Sequence, residues 1–372
     1  MSAVSVHQYC YIMPEPMSSV LQSQPDDDTV RRILFVPVSG PYGIGEYQRS
    51  LFLAQSLVAR HPGWDVRLVV AETAPYIDEG PLPIFRTTRS PTMVPNEVAV
   101  ILEEFRPSVV IFDCSGRQRS LRLASRLGAR TVFVSNHSRK RRRGFRIRRL
   151  RYTDDHWILQ PHFICGGLTA VERLKLRMLG KPAPIYLGPV FPEATLPTHA
   201  PDQPFFVCCP GGGGKMVQGR QSGAVFADAA RDVAEELDIR GVVVTGGNFT
   251  GELPASRQLQ VHRSLPGHEL AGLLSAAQFA LVGGGDLLQQ AIANRVPTVS
   301  APTALDQPLR IEAFEQRGLC ISATPDRLAE VAVAAYSDGR LSSLVEQLRC
   351  CDISNGLNIG VERIEMLAME EG

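Results

Sequence analysis

Short apolar runs alternate with stretches of helical periodicity along most of the chain. Arg32-Ile33-Leu34-Phe35-Val36-Pro37-Val38 reads as a strand, a Gly-rich turn follows, and Tyr47 to Ala59 repeats its apolar positions at helical spacing. The pattern recurs with a strand over 65–70, a helix over 94–105, a strand over 108–113, a helix over 119–127 and a strand over 131–134. Such alternation predicts a parallel sheet wound by helices.

Residues 188–204 interrupt it. Five prolines in that span fit neither sheet nor helix and predict a linker. Beyond it the alternation restarts: Phe205-Phe206-Val207-Cys208-Cys209 as a strand, Ser222 to Leu237 as a helix, then strands at 241–245, 279–282 and 298–300. The expected organisation is a loose lead-in over 1–30, a first domain over 31–187, the linker, a second domain over 205–355, and a terminal helical stretch over 356–372 placed to cross back onto the first domain. Two doubly wound α/β domains would face each other across a cleft.

Composition changes this picture little. The chain has 372 residues, 44% hydrophobic and 21% charged, with a net charge of +1, so no global field steers it to nucleic acid or membrane. Eight cysteines show no Cys-x-x-Cys pair and no metal-ligand spacing, which predicts buried free thiols. The first thirty residues lack the pattern of a signal peptide, and no apolar run is long enough to span a bilayer. The expected address is the cytoplasm.

The chemistry gathers at three Gly-rich turns that follow strands. Pro210-Gly211-Gly212-Gly213-Gly214-Lys215 offers bare amides and one cation, which suits a diphosphate. Without Ser or Thr after Gly-Lys it is not a Walker loop, and a ligand-free loop is the alternative. Thr245-Gly246-Gly247-Asn248 makes a second wall or a plain turn. The third, Gly283-Gly284-Gly285-Asp286, opens a helix that carries Gln290 two turns in, at reach of a ribose.

The run from Leu265 to Gly318, containing GGGDLLQQAIANRVPTVSAP, ALDQP and EAFEQRG, resembles the C-terminal domain of GT-B glycosyltransferases. It is similar to the peptidoglycan N-acetylglucosaminyltransferase and the macrolide-type transferases. The resemblance implies two Rossmann-like domains, with Asp306-Gln307 on donor-sugar hydroxyls and Leu265 offering its backbone amide to the base. It sets Gln290 where those families carry a ribose-gripping glutamate, so the charge is missing here.

In the first domain, the turn through Gly43-Ile44-Gly45-Glu46 resembles the G-x-G-H loop of the same transferases and of a nucleotide-sugar hydrolase of pseudaminic acid synthesis. Glu46 stands where they have histidine. A carboxylate takes a hydroxyl proton if burial raises its pKa, and it also suits a helix N-terminus. His137 and Asp113, each near a strand end, are competing acids or bases.

Residues 139–151, RKRRRGFRIRRLR, hold nine basic residues in thirteen. Phe145, Ile147 and Leu150 interleave them, so Arg141, Arg142, Arg143, Arg146 and Arg148 are expected to meet an anionic membrane or an anionic acceptor, with nucleic acid ranked below both and a solvated loop as the plain alternative. The activity these readings imply is inverting transfer from a nucleotide sugar, UDP-linked, to a lipid-linked or anionic acceptor, with no cofactor and no obligatory metal. Hydrolysis on the same scaffold, or a catalytically idle nucleotide- or nucleic-acid-binding protein, are the alternatives.

Overall fold

The computed structural model describes residues 30–40, 44–74, 82–253 and 256–370. The expected lead-in falls outside these but for Val30, and so do Pro41, Tyr42 and Gly43 of the first Gly-rich turn.

The first sheet has seven parallel strands: β1 (Arg32–Pro37), β2 (Asp65–Ala71), β3 (Ile84–Thr87), β4 (Val109–Asp113), β5 (Arg130–Ser135), β6 (Asp155–Ile158) and β7 (Ile185–Tyr186), ordered β3-β2-β1-β4-β5-β6-β7. Its helices are α1 (Gly45–Arg60), α2 (Pro95–Phe105), α3 (Gln118–Arg126), α4 (Ser138–Gly144), α5 (Ile147–Leu150), α6 (His162–Cys165) and α7 (Ala170–Leu179). Successive residues of β1 serve opposite faces. Ile33 and Phe35 pack with Leu53 and Leu57 of α1, whereas Leu34 and Val36 pack with Leu102 of α2 and Leu121 of α3. Burial on both faces explains why this strand is continuously apolar.

The second sheet holds β8 (Phe205–Cys209), β11 (Arg240–Val244), β12 (Leu259–His262), β13 (Phe279–Gly283), β14 (Thr298–Ala301) and β15 (Ile321–Ser322), all parallel and ordered β12-β11-β8-β13-β14-β15. Between β8 and β11 lie an antiparallel hairpin, β9 (Met216–Val217) and β10 (Arg220–Gln221), and helix α8 (Ser222–Leu237). The remaining helices are α9 (Gly267–Ala276), α10 (Asp286–Ala293), α11 (Pro308–Glu315), α12 (Leu328–Ser337), α13 (Arg340–Arg349) and α14 (Leu357–Met369). One core runs through this half, with Phe206 stacked on Phe279 at 5.2 Å.

Helix α14 leaves that core. Its Leu357, Val361, Ile364 and Leu367 bury against Leu53 of α1, Trp157 of β6 and Leu187 just after β7. His61 meets Glu365 at 2.8 Å, and Arg363 donates to Asp155 at 2.9 Å.

Strand order reverses between β1 and β4 in the first sheet and between β8 and β13 in the second. These are the switch points where open α/β sheets present ligand crevices at their carboxyl ends. Glu46 follows β1, Asp113 ends β4, Gly212 to Lys215 follow β8, and Gly284 to Asp286 follow β13.

Candidate active site

One buried arginine organises the crevice. Arg49, on the inner face of α1, donates through Nε and Nη2 to both oxygens of Asp113 at the end of β4, at 2.9 and 3.0 Å. Its Nη1 crosses to the other half and meets Asp286 at the start of α10, at 2.6 Å. Arg49 and Asp113 are 4% and 2% exposed, so the pair is desolvated, while Asp286 at 47% stays open to the crevice. Asp286 lies so close that a side chain on Gly45 would meet its Oδ2 at 3.4 Å. Sequence reading missed Arg49; its only signal was a positive charge about one turn after Glu46, amid the apolar positions of α1.

Asp113 was expected as a free acid or base. Both its oxygens accept from the buried Arg49 guanidinium, so it stands as the anchor of that arginine.

Glu46 sits in the first turn of α1, where Asn136 Nδ2 donates to its Oε1 at 3.0 Å. Burial pushes its pKa up, Arg49 pulls it down, and Asp113 and Asp286 push it up again. The net direction is upward, as a general base near neutrality requires. The cap residue of α1, Ile44, receives no side-chain capping bond, although the Glu46 carboxylate does accept from its own amide. Asn136 Oδ1 is buried with no partner.

His137 caps α4 in extended backbone, at φ −161°. Burial lowers its pKa, Lys140, Arg310 and Arg139 add to that, and Asp306 opposes it. It therefore stays neutral near pH 7 and faces the second half of the molecule. Cys114, at φ +58°, is buried, and burial holds its thiol well above the usual range.

The glycine turns are used unequally. The amides of Gly212, Gly213 and Gly214 donate to nothing among the described residues, and a side chain on Gly212 would stand 3.7 Å from Ile44 across the crevice. A side chain on Gly213, at φ +78°, would strike the Thr245 carbonyl at 1.9 Å. Between this loop and α8, which begins at Ser222 as expected, lies the β9–β10 hairpin. The first amides of α8 turn back, Ser222 onto Lys215 O and Gly223 onto Gly213 O. Lys215 itself is exposed beside the hairpin.

The amides of Gly246, expected in a second wall or a plain turn, and of Gly284 and Gly285, expected to face a diphosphate, are already committed. Gly246 donates to Arg263 O at 2.9 Å, Gly284 to Ala301 O at 3.3 Å and Gly285 to Gly283 O at 2.8 Å. One residue later comes the uncapped first turn of α10, where the Asp286 carboxylate stands beside Arg49.

Around this turn the second half supplies further groups. Asp306 is 60% exposed and pairs with Arg310 at 3.1 Å; Arg310 is buried, donates to Gly284 O at 3.2 Å and leaves Nε unpartnered. Gln307 is buried, and its Oε1 is spent on Thr303, accepting from the amide at 2.6 Å and the hydroxyl at 3.2 Å. Only its amide nitrogen is left, beside Gly285. Gln290 is buried within α10, next to Gln289, whose Oε1 has no partner. Leu265, partly buried, lies in the loop between β12 and α9.

The basic run divides in two. Arg141 is buried and donates to the carbonyls of Cys165, Gly166 and Gly167 and to Glu172 at 2.8 Å, so it locks α4 to the start of α7. Phe145 and Leu150 point inward onto Leu176. The expected apolar interleaving on a lipid-facing surface therefore fails for Phe145 and Leu150, which α4 and α5 spend on their own packing, whereas Ile147 is exposed. Arg142, Arg143, Arg146 and Arg148 remain exposed.

No protein-family model matches the chain. Curated relatives include three from Mycobacterium tuberculosis, strains H37Ra, CDC 1551 and H37Rv, each described as a PGL/p-HBAD biosynthesis glycosyltransferase and 31% identical over 160 residues. That match takes in 40% of this chain and 34% of each relative, so the chain spans about a third of their length. Among solved structures, the glycotransferase of kitacinnamycin superposes with TM-score 0.60 at 19% identity, covering 91% of this chain and 99% of that one. MurG of Acinetobacter baumannii gives 0.56 at 13% identity over 90% and 99%. A putative UDP-N-acetylglucosamine 2-epimerase from Listeria monocytogenes gives 0.55 at 13% over 90% and 95%. Two parallel sheets with ligand-ready switch points, matched over nine-tenths of the chain, identify the GT-B fold of these glycosyltransferases.

Proposed function

We propose that the protein is a glycosyltransferase that moves a sugar from a nucleotide sugar, UDP-linked, to a lipid-linked or anionic acceptor with inversion. The observation that carries this reading is the Arg49 bridge: it joins Asp113 of the first half to Asp286 at the start of α10, three residues along α1 from Glu46, whose buried carboxyl is raised. In this reading Gly212, Gly213, Gly214 and Lys215 hold the diphosphate from one side and α10 from the other. Asp306 and the Gln307 amide hold the sugar, Leu265 meets the base, Gln290 meets the ribose, and no divalent ion is assigned a role. Glu46 takes the acceptor proton, and the unpartnered Asn136 Oδ1 offers that acceptor a second hydrogen bond. The glycosyltransferase names of the partial relatives and of the fold neighbours point the same way.

Replacing Asp306 and Gln307 together with Ala tests the donor half. Calorimetric affinity for a UDP-sugar is expected to fall about tenfold or more while affinity for UDP changes little, because hydroxyl contacts go and phosphate contacts stay. Equal weakening of both ligands would remove the pair from the sugar pocket. Sugar release from the donor without any acceptor would favour a hydrolase, and binding without turnover an idle scaffold.

The reading also assigns an anionic membrane surface to the first half. No helix of the described residues is long and apolar enough to cross a bilayer. Besides the exposed arginines, α7 presents Val171, Leu174 and Met178, one stripe at helical spacing and 60%, 56% and 71% exposed, with Arg173, Lys175 and Arg177 between them. Replacing Arg142, Arg143, Arg146 and Arg148 with Gln is expected to abolish cosedimentation with phosphatidylglycerol vesicles, as is high salt. Arg141→Gln should instead lower the melting temperature, since it strands three carbonyls and Glu172. Absence of vesicle binding in the parent protein at low salt would discard the membrane surface.

A further inference from the structure

A second cluster of arginines lies apart from the crevice. Thr92, Met93 and Pro95 before and at the start of α2, Arg117, Gln118 and Arg119 at the start of α3, and Arg149 of α5 line an open depression of about 430 Å³. Arg149 is half-buried there and its side chain has no hydrogen-bond or ion-pair partner among the described residues. Burial lowers its pKa, and Arg146, Arg143 and Arg117 add to the effect with no carboxylate opposing them. Arg117 fixes its Nε on Thr92 O at 2.8 Å, which leaves its two terminal nitrogens for another acceptor. Arg119 is held by Asn96 at 2.6 Å.

The backbone repeats the message. Both α2 and α3 begin at this depression, and neither has a side-chain capping bond; Pro95 has no N–H, so the open first-turn amides are those of Asn96 and Glu97 in α2 and of Gln118, Arg119 and Ser120 in α3. Glu97, the acid in the first turn of α2, is turned away onto Thr88, at 2.8 and 2.5 Å. Like charges crowded into a partly desolvated hollow repel one another unless an anion sits between them. Arginines with free forked donors match a tetrahedral oxyanion.

We infer that this depression is a binding site for a phosphate-class anion, held by Arg117 and Arg149 with the open amides of α2 and α3 beneath it. Arg117 follows Asp113 by four residues, so the hollow belongs to the same carboxyl-end rim as Glu46. Resting on the transfer reading, the anion is the phosphate-bearing part of the acceptor, held while its hydroxyl reaches the crevice.

Calorimetric titration with inorganic pyrophosphate, UDP present at saturation to fill the donor seat, tests this directly. The parent protein is expected to bind, and Arg117→Gln with Arg149→Gln to bind at least about tenfold more weakly with an unchanged melting temperature. Equal isotherms for the two folded proteins would overturn the site. Should the double variant not fold, phenylglyoxal labelling of the parent read by mass spectrometry replaces it: pyrophosphate should slow labelling of Arg117 and Arg149 but not of exposed Arg240, and uniform labelling overturns the site. Phosphatidylglycerol vesicles form a separate arm. If they bind while pyrophosphate neither binds nor protects, the arginines serve a bilayer and the site is wrong. A missing UDP heat would damage the donor reading alone, since the pyrophosphate difference does not depend on it.

Discussion

Glu46→Gln is expected to cut turnover by roughly two to four orders of magnitude while leaving nucleotide affinity and melting temperature nearly unchanged. The substitution keeps the shape of the side chain and an oxygen to accept from Asn136 Nδ2, and removes only the capacity to take a proton. A pH series adds an independent readout. Burial raises the Glu46 carboxyl, so the group is protonated, and idle as a base, up to a higher pH than an ordinary glutamate. Parental turnover should therefore climb as pH rises through that elevated value, and the climb should vanish in the variant. A helix-capping glutamate would behave otherwise, with about 1 kcal/mol of stability lost at most and turnover largely kept. More than about a tenth of parental turnover in Glu46→Gln would pass the base to His137, which burial keeps neutral and whose ring senses Asp306 across the crevice.

The architecture was readable in the sequence wherever strands are buried on both faces, because continuous apolar runs such as Ile33 to Val36 leave little choice. Strand β6 was not. It reads Asp155-His156-Trp157-Ile158, and two polar residues at its start suggest a loop. They are tolerated because Asp155 accepts from Trp157 Nε1 and from Arg363 on α14, a residue 208 positions away, while His156 meets Ser135 at 3.1 Å. No local window contains Arg363 or Ser135. The glycine turns show a similar limit: sequence marks where the backbone has no side chain, but only geometry tells which amides are already spent, as at Gly246 and Gly285. Charge density misled in the basic run for the same reason. Arg141 and Arg142 are identical as letters, and one is a buried lock while the other is solvated.

Arg49→Met should be the most destabilising single change in the crevice. It leaves Asp113 buried with neither of its two bonds, and stranding a buried charge in this way costs about 3–5 kcal/mol. Asp286, nearly half exposed, would be rehydrated at small cost, so Asp286→Asn alone should scarcely move the melting temperature. The two variants thus separate the roles of one guanidinium. Its Asp113 side holds the first half together, and its Asp286 side joins the halves and offsets a carboxylate standing where the donor's diphosphate is proposed to rest. With Arg49 gone, Asp286 and an incoming diphosphate repel each other unscreened, so nucleotide affinity should fall in Arg49→Met and partly recover in Arg49→Met with Asp286→Asn. Stability should respond to a different partner, recovering in Arg49→Met with Asp113→Asn because the stranded charge is removed. An unchanged melting temperature in Arg49→Met would show that Asp113 finds another partner or a proton. Affinity that fails to recover with Asp286→Asn would show that this carboxylate and the donor do not share a seat.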